Sequence, residues 1–226
     1  SLIQEADGII ALGKFSPKTI RDLESYGKPL IFVDSNTLYL GHSCVTTDLE
    51  DSVITALEHF LEHGHKEIGL LVGQEETADA TPLQMDPRQR IFQQFLTEKG
   101  LYEERFVSVG QFSTESGYQM MEQLIQALGD DLPTAFFMAS DALAVGALRA
   151  LQEHQISVPD RVSIISFNDT SIAKYVFPAL STVTVYTEEM GKQAIQMLRQ
   201  TFQGSQPSVP YMVKLATKLT IRDSSR

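Results

Sequence analysis

The stretch PTAFFMASDALAVGALRALQEHQISVPDRVSIISFND, residues 133–169, decides how this chain is read. Thr134–Met138 is a run of apolar and aromatic residues, the pattern of a buried strand. Ser140 follows as a helix N-cap, and Asp141 puts negative charge into the first turn, where the helix dipole favours it. Leu143, Val145, Leu148 and Leu151 then recur at helical spacing. After His154 the helix yields to a loop punctuated by Pro159 and Asp160, and Val162–Phe167 reads as a second buried strand. Strand, helix and strand with short links make a βαβ unit, whose strands run parallel. Both strands end in small polar residues, Ala139–Ser140–Asp141 and Asn168–Asp169–Thr170. Parallel sheets bind ligands beyond the carboxyl ends of their strands, so these two tips are the first candidate site.

The same alternation extends in both directions. Strands are expected at 6–12, 29–33, 67–72, 105–109 and 181–185, with short extended pieces at 44–46, 211–215 and 218–222. Helices are expected at 17–26, 48–63, 87–99, from Ser113 or Thr114 to Leu128, and at 188–202. Pro87 stands at a first helical position behind a capping Asp86, and Gly27, Gly64 and Gly100 each close a helix. Gln74–Asp86 is polar and acidic, the composition of a loop. Strand and helix alternating nearly throughout is the signature of an α/β protein.

Composition narrows the function. The 226 residues are 42% hydrophobic, with no apolar run of membrane-spanning length, which describes a globular chain with ample core. No basic segment followed by an apolar one stands at the start, so no secretory signal is visible. A single cysteine, Cys44, suits a reducing compartment, and the expected location is the cytoplasm. With 18 basic and 29 acidic residues the net charge is −11. Phosphate backbones are bound by basic surface, so nucleic acid contact has to come from something outside this sequence.

Enzymatic and metal constellations fall away on inspection. Gly8–Lys14 satisfies G-x-x-x-x-G-K, but the intervening residues are an apolar strand and Phe15 replaces the Ser or Thr a P-loop needs. His59, His63 and His65 lie close together, yet Phe60 stands where a zinc protease carries its glutamate; no metal is expected. No G-x-S-x-G elbow exists, and no catalytic residue and no cofactor are assigned. What remains are polar and aromatic residues at element ends: Asp34, Arg88, Phe112, Ser140, Asp141, Asn168 and Asp169. Carboxylates, an amide, an arginine and an aromatic ring suit a polyhydroxylated ligand such as a sugar, since acids and amides grip adjacent hydroxyls while a ring covers an apolar pyranose face. The plainer reading of Asp34, Asp141 and Asn168 is that they cap helices or close turns.

The order of these pieces resembles the LacI/GalR family of transcriptional regulators, and the resemblance runs end to end. It is carried by ADGIIAL, KPLIFVD, HFLEHGHKEIGLLVG, RQRIFQQFLTEKGL, GQFSTESGY, LPTAFFMASDALAVGALRALQEHQISVPDRVSIISFNDT, FPALSTVTVYTEEMGKQAIQML and the closing KLTIRDSS. Within the family the wording is most similar to galactose-operon repressors. The resemblance implies a two-lobed periplasmic-binding-protein-like fold, each lobe a parallel sheet flanked by helices, with three crossings and an effector in the cleft. One lobe is expected at residues 1–46 and 188–213, lacking the family's first strand and helix, and the other at 47–187 and 214–226. The helix-turn-helix headpiece that reads operator DNA is not among these residues.

By motif, Arg88 matches the arginine that binds effector hydroxyls, Asp34 a strand-end carboxylate and Phe112 an aromatic that packs on the sugar. Ser140 stands where many relatives carry Asn, and Asn168 where many carry Asp; both keep hydrogen-bonding ability and reduce negative charge. Asp141 and Asp169 match companion acids that also serve as caps. The implied partners are a sugar effector such as galactose or a galactoside, operator DNA through the headpiece, and a second copy in a homodimer, with helices 48–63 and 188–202 at the contact. No membrane partner is expected. The alternative reading is the sugar-binding protein of an ABC transporter, which shares the fold.

Overall fold

The computed structural model describes residues 2–77 and 85–226; most of 78–86, the latter part of the expected 74–86 loop, lies outside them. In chain order the elements are α1 (Leu2–Glu5), β1 (Ile9–Leu12), α2 (Pro17–Glu24), β2 (Leu30–Val33), β3 (Cys44–Thr47), α3 (Leu49–Glu62) and β4 (Ile68–Gly73). Then come α4 (Pro87–Glu98), β5 (Val107–Gly110), α5 (Thr114–Leu128), β6 (Ala135–Met138), α6 (Asp141–Glu153) and β7 (Ser163–Asn168). The chain finishes with β8 (Ser181–Thr184), α7 (Thr187–Phe202), β9 (Met212–Leu215) and β10 (Lys218–Thr220). Every strand and helix expected from the sequence is present within a few residues. The stretch after Asp169, which lacks a regular pattern, holds a short 3-10 turn at Ser171–Lys174.

The described residues divide into two compact units, one holding 2–48, 76–77 and 186–216, the other 49–75, 85–185 and 217–226. The first unit carries a four-stranded sheet in the order β1-β2-β3-β9, parallel throughout, with Phe32 opposite Cys44 and Val45 opposite Val213. Its core gathers Ala11, Ile20, Phe32 and Cys44, closed by Phe15 and Met212. The second unit carries six strands in the order β10-β8-β7-β6-β4-β5. Five of these run parallel, and the three-residue β10 lies antiparallel along β8, an arrangement common at the edge of such sheets.

Both faces of the larger sheet are covered, which is why its central strands are unbroken apolar runs: every residue of β4 and β6 is buried. Phe60 of α3, Phe92 and Leu96 of α4, Met121 of α5, and Leu143 and Leu151 of α6 complete this core. Helices α5 and α6 approach to backbone contact through two glycines. A Cβ at Gly117 would lie 2.3 Å from the Leu143 carbonyl oxygen, and one at Gly146 would lie 1.9 Å from that of Thr114. Among the described residues, no helix is long and apolar enough to cross a membrane.

Candidate functional site

The carboxyl ends of β4, β6 and β7 open side by side in the second unit, and α4 starts beside them. Asp86 caps α4 through Oδ1, which accepts from the Arg88 amide at 2.8 Å, and Pro87 fills the first helical position. The same carboxylate takes the arginine's side chain at two points. Arg88 Nε donates to Asp86 Oδ1 at 2.8 Å and a terminal nitrogen to Oδ2 at 2.6 Å. The other terminal nitrogen donates to the Ala139 carbonyl at 2.8 Å, and a contact of 3.1 Å reaches Glu75 Oε1. Phe112 and Phe167 lie against the guanidinium, with ring centroids 4.9 and 5.4 Å away. Phe112 in turn sits on Gly73, where a Cβ would come within 2.4 Å of its ring. Arg88 is therefore buried, packed against two aromatic rings and held by two acids.

At the β6 and β7 tips the expected residues divide into fixed and available groups. Ser140 caps α6, its Oγ accepting from the Leu143 amide at 3.3 Å. The Asp141 carboxylate is 1% exposed at the residue level and is filled by protein donors. Oδ1 accepts from Ser166 Oγ at 2.5 Å and Thr182 Oγ1 at 3.0 Å, and Oδ2 from the Thr170 amide and hydroxyl at 2.6 and 2.8 Å. It ties α6 to β7 and β8. Asp169 pairs with Arg222 at 2.7 Å and accepts from Thr184 Oγ1 at 2.9 Å. Asn168 and Asp169 both adopt positive φ, 107° and 57°, a conformation that Asn and Asp tolerate better than other non-glycine residues. Among the described residues, the Asn168 side-chain amide makes no hydrogen bond.

Asp34 belongs to the other unit. It ends β2 at φ 63° and lies 3.3 Å from Lys14 Nζ, with 61% of its side chain exposed. Lys14 is the lysine of the G-x-x-x-x-G-K run, whose apolar middle is strand β1 as expected.

Sequence reasoning recognised Asp86 only as a cap and missed Glu75, Phe167, Ser166, Thr182 and Arg222. The carboxylate two residues before Arg88 was the available signal for the first. The others approach their partners from distant parts of the chain, which no local pattern reports.

Replacing Asp141 by alanine is expected to strand the Ser166, Thr170 and Thr182 donors in the interior. At about 1–3 kcal/mol for each buried group left unsatisfied, denaturant titration should show a loss of several kcal/mol, with Asp141→Asn intermediate because it keeps one acceptor. A loss no larger than that of a surface substitution would contradict the buried network.

The three clustered histidines lie elsewhere, at and after the C-terminal end of α3. His59 and His63 rings stack at 4.2 Å, His63 Nδ1 bonds the His59 carbonyl at 2.8 Å, and His65 Nδ1 meets Thr134 Oγ1 at 2.9 Å. Burial, and next the neighbouring His63, lowers the His59 pKa, although Glu62 pulls it upward; the same two causes lower that of His65. The folded chain thus binds fewer protons than the unfolded chain just below the ordinary value of 6.5. Stability should rise as pH is raised through that window and be lost as pH falls through it. Melting curves across the window should show this slope, reduced in a His59→Gln/His65→Gln double variant; an unchanged slope in the variant would contradict the assignment.

A chain of two α/β units with polar groups and an arginine gathered at strand ends has the plan of a periplasmic-binding-protein-like domain, and residues 57–225 match the family of that description. Across its full length the chain is 50% identical to the HTH-type transcriptional regulator GalR of Streptococcus thermophilus, covering 68% of that protein. It is 35% identical over 225 residues to GanR of Bacillus subtilis (strain 168), again covering 68%. Among solved structures, the transcriptional regulator CelR–cellobiose complex superposes with a TM-score of 0.84 at 25% identity, over 99% of this chain and 67% of that one. A LacI-family regulatory protein from Chloroflexus aggregans shares the fold at a TM-score of 0.85 and 23% identity, over 98% and 77%. The chain belongs to the LacI/GalR family of transcriptional regulators, as the core that binds effectors and not as an enzyme. It spans about two thirds of the length of these regulators, which do not favour the transporter reading.

Proposed function

We propose that this core answers to a sugar, galactose or a galactoside, and that the sugar weakens the hold of the whole protein on operator DNA. The observation that carries the reading is Arg88 held against the rings of Phe112 and Phe167 and in contact with Glu75. A sugar hydroxyl both donates and accepts, so it can take an N–H from the guanidinium while giving its own proton to the Glu75 carboxylate. Phe112 offers a ring face to the apolar side of a pyranose, and Asn168 and Ser140 supply further polar groups. Asp141 and Asp169, whose oxygens are engaged by protein donors, hold those groups in place. Asp34, at the end of β2, is a further candidate contact by its family match. The GalR relative at 50% identity favours a galactose-type effector.

Operator DNA is contacted through a headpiece outside these residues, consistent with an acidic core, and the working form is a cytoplasmic homodimer. Tyr175 and Phe177, 83% and 84% exposed, and Ile195 and Phe202 on α7 are large apolar groups that a second copy would cover. The exposed positions of α3 include the acids Glu50, Asp51, Glu58 and Glu62, so of the two helices α7 is the better placed for such a contact.

Sugar binding favours one conformation of the core and shifts operator affinity through linkage. Operator binding by the full-length protein should weaken as galactose is added. Tighter binding with sugar would overturn induction in favour of corepression.

A further inference from the structure

We infer that Arg222 is a positioning residue of the sugar site: it locks the tip of β7 in the backbone conformation that presents the Asn168 amide. This role rests on the sugar-binding reading above and falls to a residue outside the candidate binding set.

The tip of β7 is held in a conformation that a chain does not adopt unaided. Asn168 and Asp169 are consecutive non-glycine residues at positive φ, 107° and 57°. Such residues are uncommon; they persist where surrounding contacts over-determine them, and they cluster at ligand clamps. Asn168 still pairs with Thr184 of β8, and its carbonyl accepts from the Val185 amide at 3.4 Å. The chain turns directly afterwards, so the backbone angles here set the direction of the Asn168 side chain. That side-chain amide is half-buried and makes no hydrogen bond among the described residues.

The contacts that hold the turn converge on Asp169. Its Oδ1 accepts from Arg222 at 2.7 Å and its Oδ2 from Thr184 Oγ1 at 2.9 Å, while its amide donates to Thr182 Oγ1 at 3.3 Å. Arg222 follows β10 and is itself anchored: its other terminal nitrogen donates to the Leu180 carbonyl at 2.7 Å, and its backbone amide to Ser181 Oγ at 2.8 Å. One rigid fork thus ties the β7 tip to the segment entering β8, a span that a lysine's single ammonium does not reproduce. With 17% of the Arg222 side chain and 10% of that of Asp169 exposed, the pair is screened less than a surface pair. Thr170, on Asp141, secures the far side of the turn. Without Arg222 the Asp169 carboxylate loses its cation, the turn relaxes toward ordinary negative φ, and the Asn168 amide leaves its position.

The test titrates galactose by calorimetry into the unaltered chain, Arg222→Met, Asn168→Gly and the double variant, with circular dichroism confirming that each is folded. Methionine keeps much of arginine's aliphatic stem, and glycine adopts a φ of 107° without strain while removing the amide. Arg222→Met should lower affinity by at least about fivefold, the scale of one hydrogen bond. Made in Asn168→Gly, the same substitution should cost less than about twofold, because the group it positions is already gone. A residue that merely supports the fold would cost the same in both backgrounds. Arg161→Met is the control: this arginine donates to the Leu132 and Pro133 carbonyls, before the start of β6. Its loss should lower stability and leave galactose affinity unchanged. Where Arg222→Met does not fold, Thr184→Val, which removes the other side-chain contact of Asp169, enters the same cycle. A smaller loss, a loss in Asn168→Gly beyond that limit, or one matched by Arg161→Met overturns the role of Arg222 and leaves the sugar site standing. No galactose binding by the unaltered chain overturns the sugar-site reading itself, and this role with it.

Discussion

Arg88→Ala should abolish sugar-dependent stabilisation and also weaken the unliganded chain. The substitution removes a cation that meets both Asp86 and Glu75, with the Asp86 side chain 1% exposed. Breaking a buried pair from one side costs about 3–5 kcal/mol, because the remaining charge keeps its desolvation penalty without a partner. Phe112 and Phe167 also lose the guanidinium they pack against. Denaturant titration without sugar should show that loss, and melting with galactose should show no rise. Arg88→Lys separates the two effects: it keeps a positive charge beside the acids but cannot reproduce the two-point contact with Asp86. Its stability should fall between those of the unaltered chain and the alanine variant, with sugar response still impaired. An alanine variant as stable as the parent would mean that Arg88 is not the hinge pin of this end of the sheet.

Gly146→Ala should be nearly as damaging although it adds only one methyl group. The new Cβ would stand 1.9 Å from the Thr114 oxygen and 2.5 Å from the Tyr118 nitrogen, both backbone atoms of α5 or its first residue. A side chain could swing away; a helix backbone has to move as a whole, and Gly117 holds the same seam from the other side at 2.3 Å from Leu143. Overpacking costs about 1–3 kcal/mol and occasionally more, and the rigid obstacles here place the expectation near about 3 kcal/mol. For a unit of this size that is a fall in melting temperature of about 6–12 °C. Gly191→Ala in α7 is the control: nothing lies within 4 Å of its Cβ. The alanine should stabilise α7 by about 0.5–1 kcal/mol through helix propensity. If both variants behaved alike, the α5–α6 contact would not be as close as the structure has it.

These two sites mark where the sequence was legible and where it was not. Strands β4, β6 and β7 announced themselves because a sheet covered on both faces needs unbroken apolar runs. The caps Asp86, Ser113 and Ser140 were readable because an N-cap side chain bonds within its own turn. Helical glycines read locally only as a penalty, so nothing in ALAVGALRAL said that Gly146 makes room for another helix. Asp86 was seen as a cap, but its grip on the Arg88 side chain depends on a rotamer, and Glu75 stands 13 residues before the arginine it meets. Arg222 lies near the end of the chain and Asp169 at a strand tip, brought together where β10 pairs with β8. The antiparallel direction of β10 had no local signal either, since three residues carry no trace of orientation. The order of strands, helices and polar tips was written locally; the partners inside the site were written in tertiary contacts.

The measurement that tests the central claim most directly is the melting temperature of this chain as a function of galactose concentration. A ligand that binds only the folded state stabilises it by RT ln(1 + [L]/Kd), so the temperature should climb without a plateau as the logarithm of concentration rises above Kd. That climb, absent in Arg88→Ala, is the result expected of a galactose-responsive regulator core. A melting temperature that stays flat across the whole titration would contradict it.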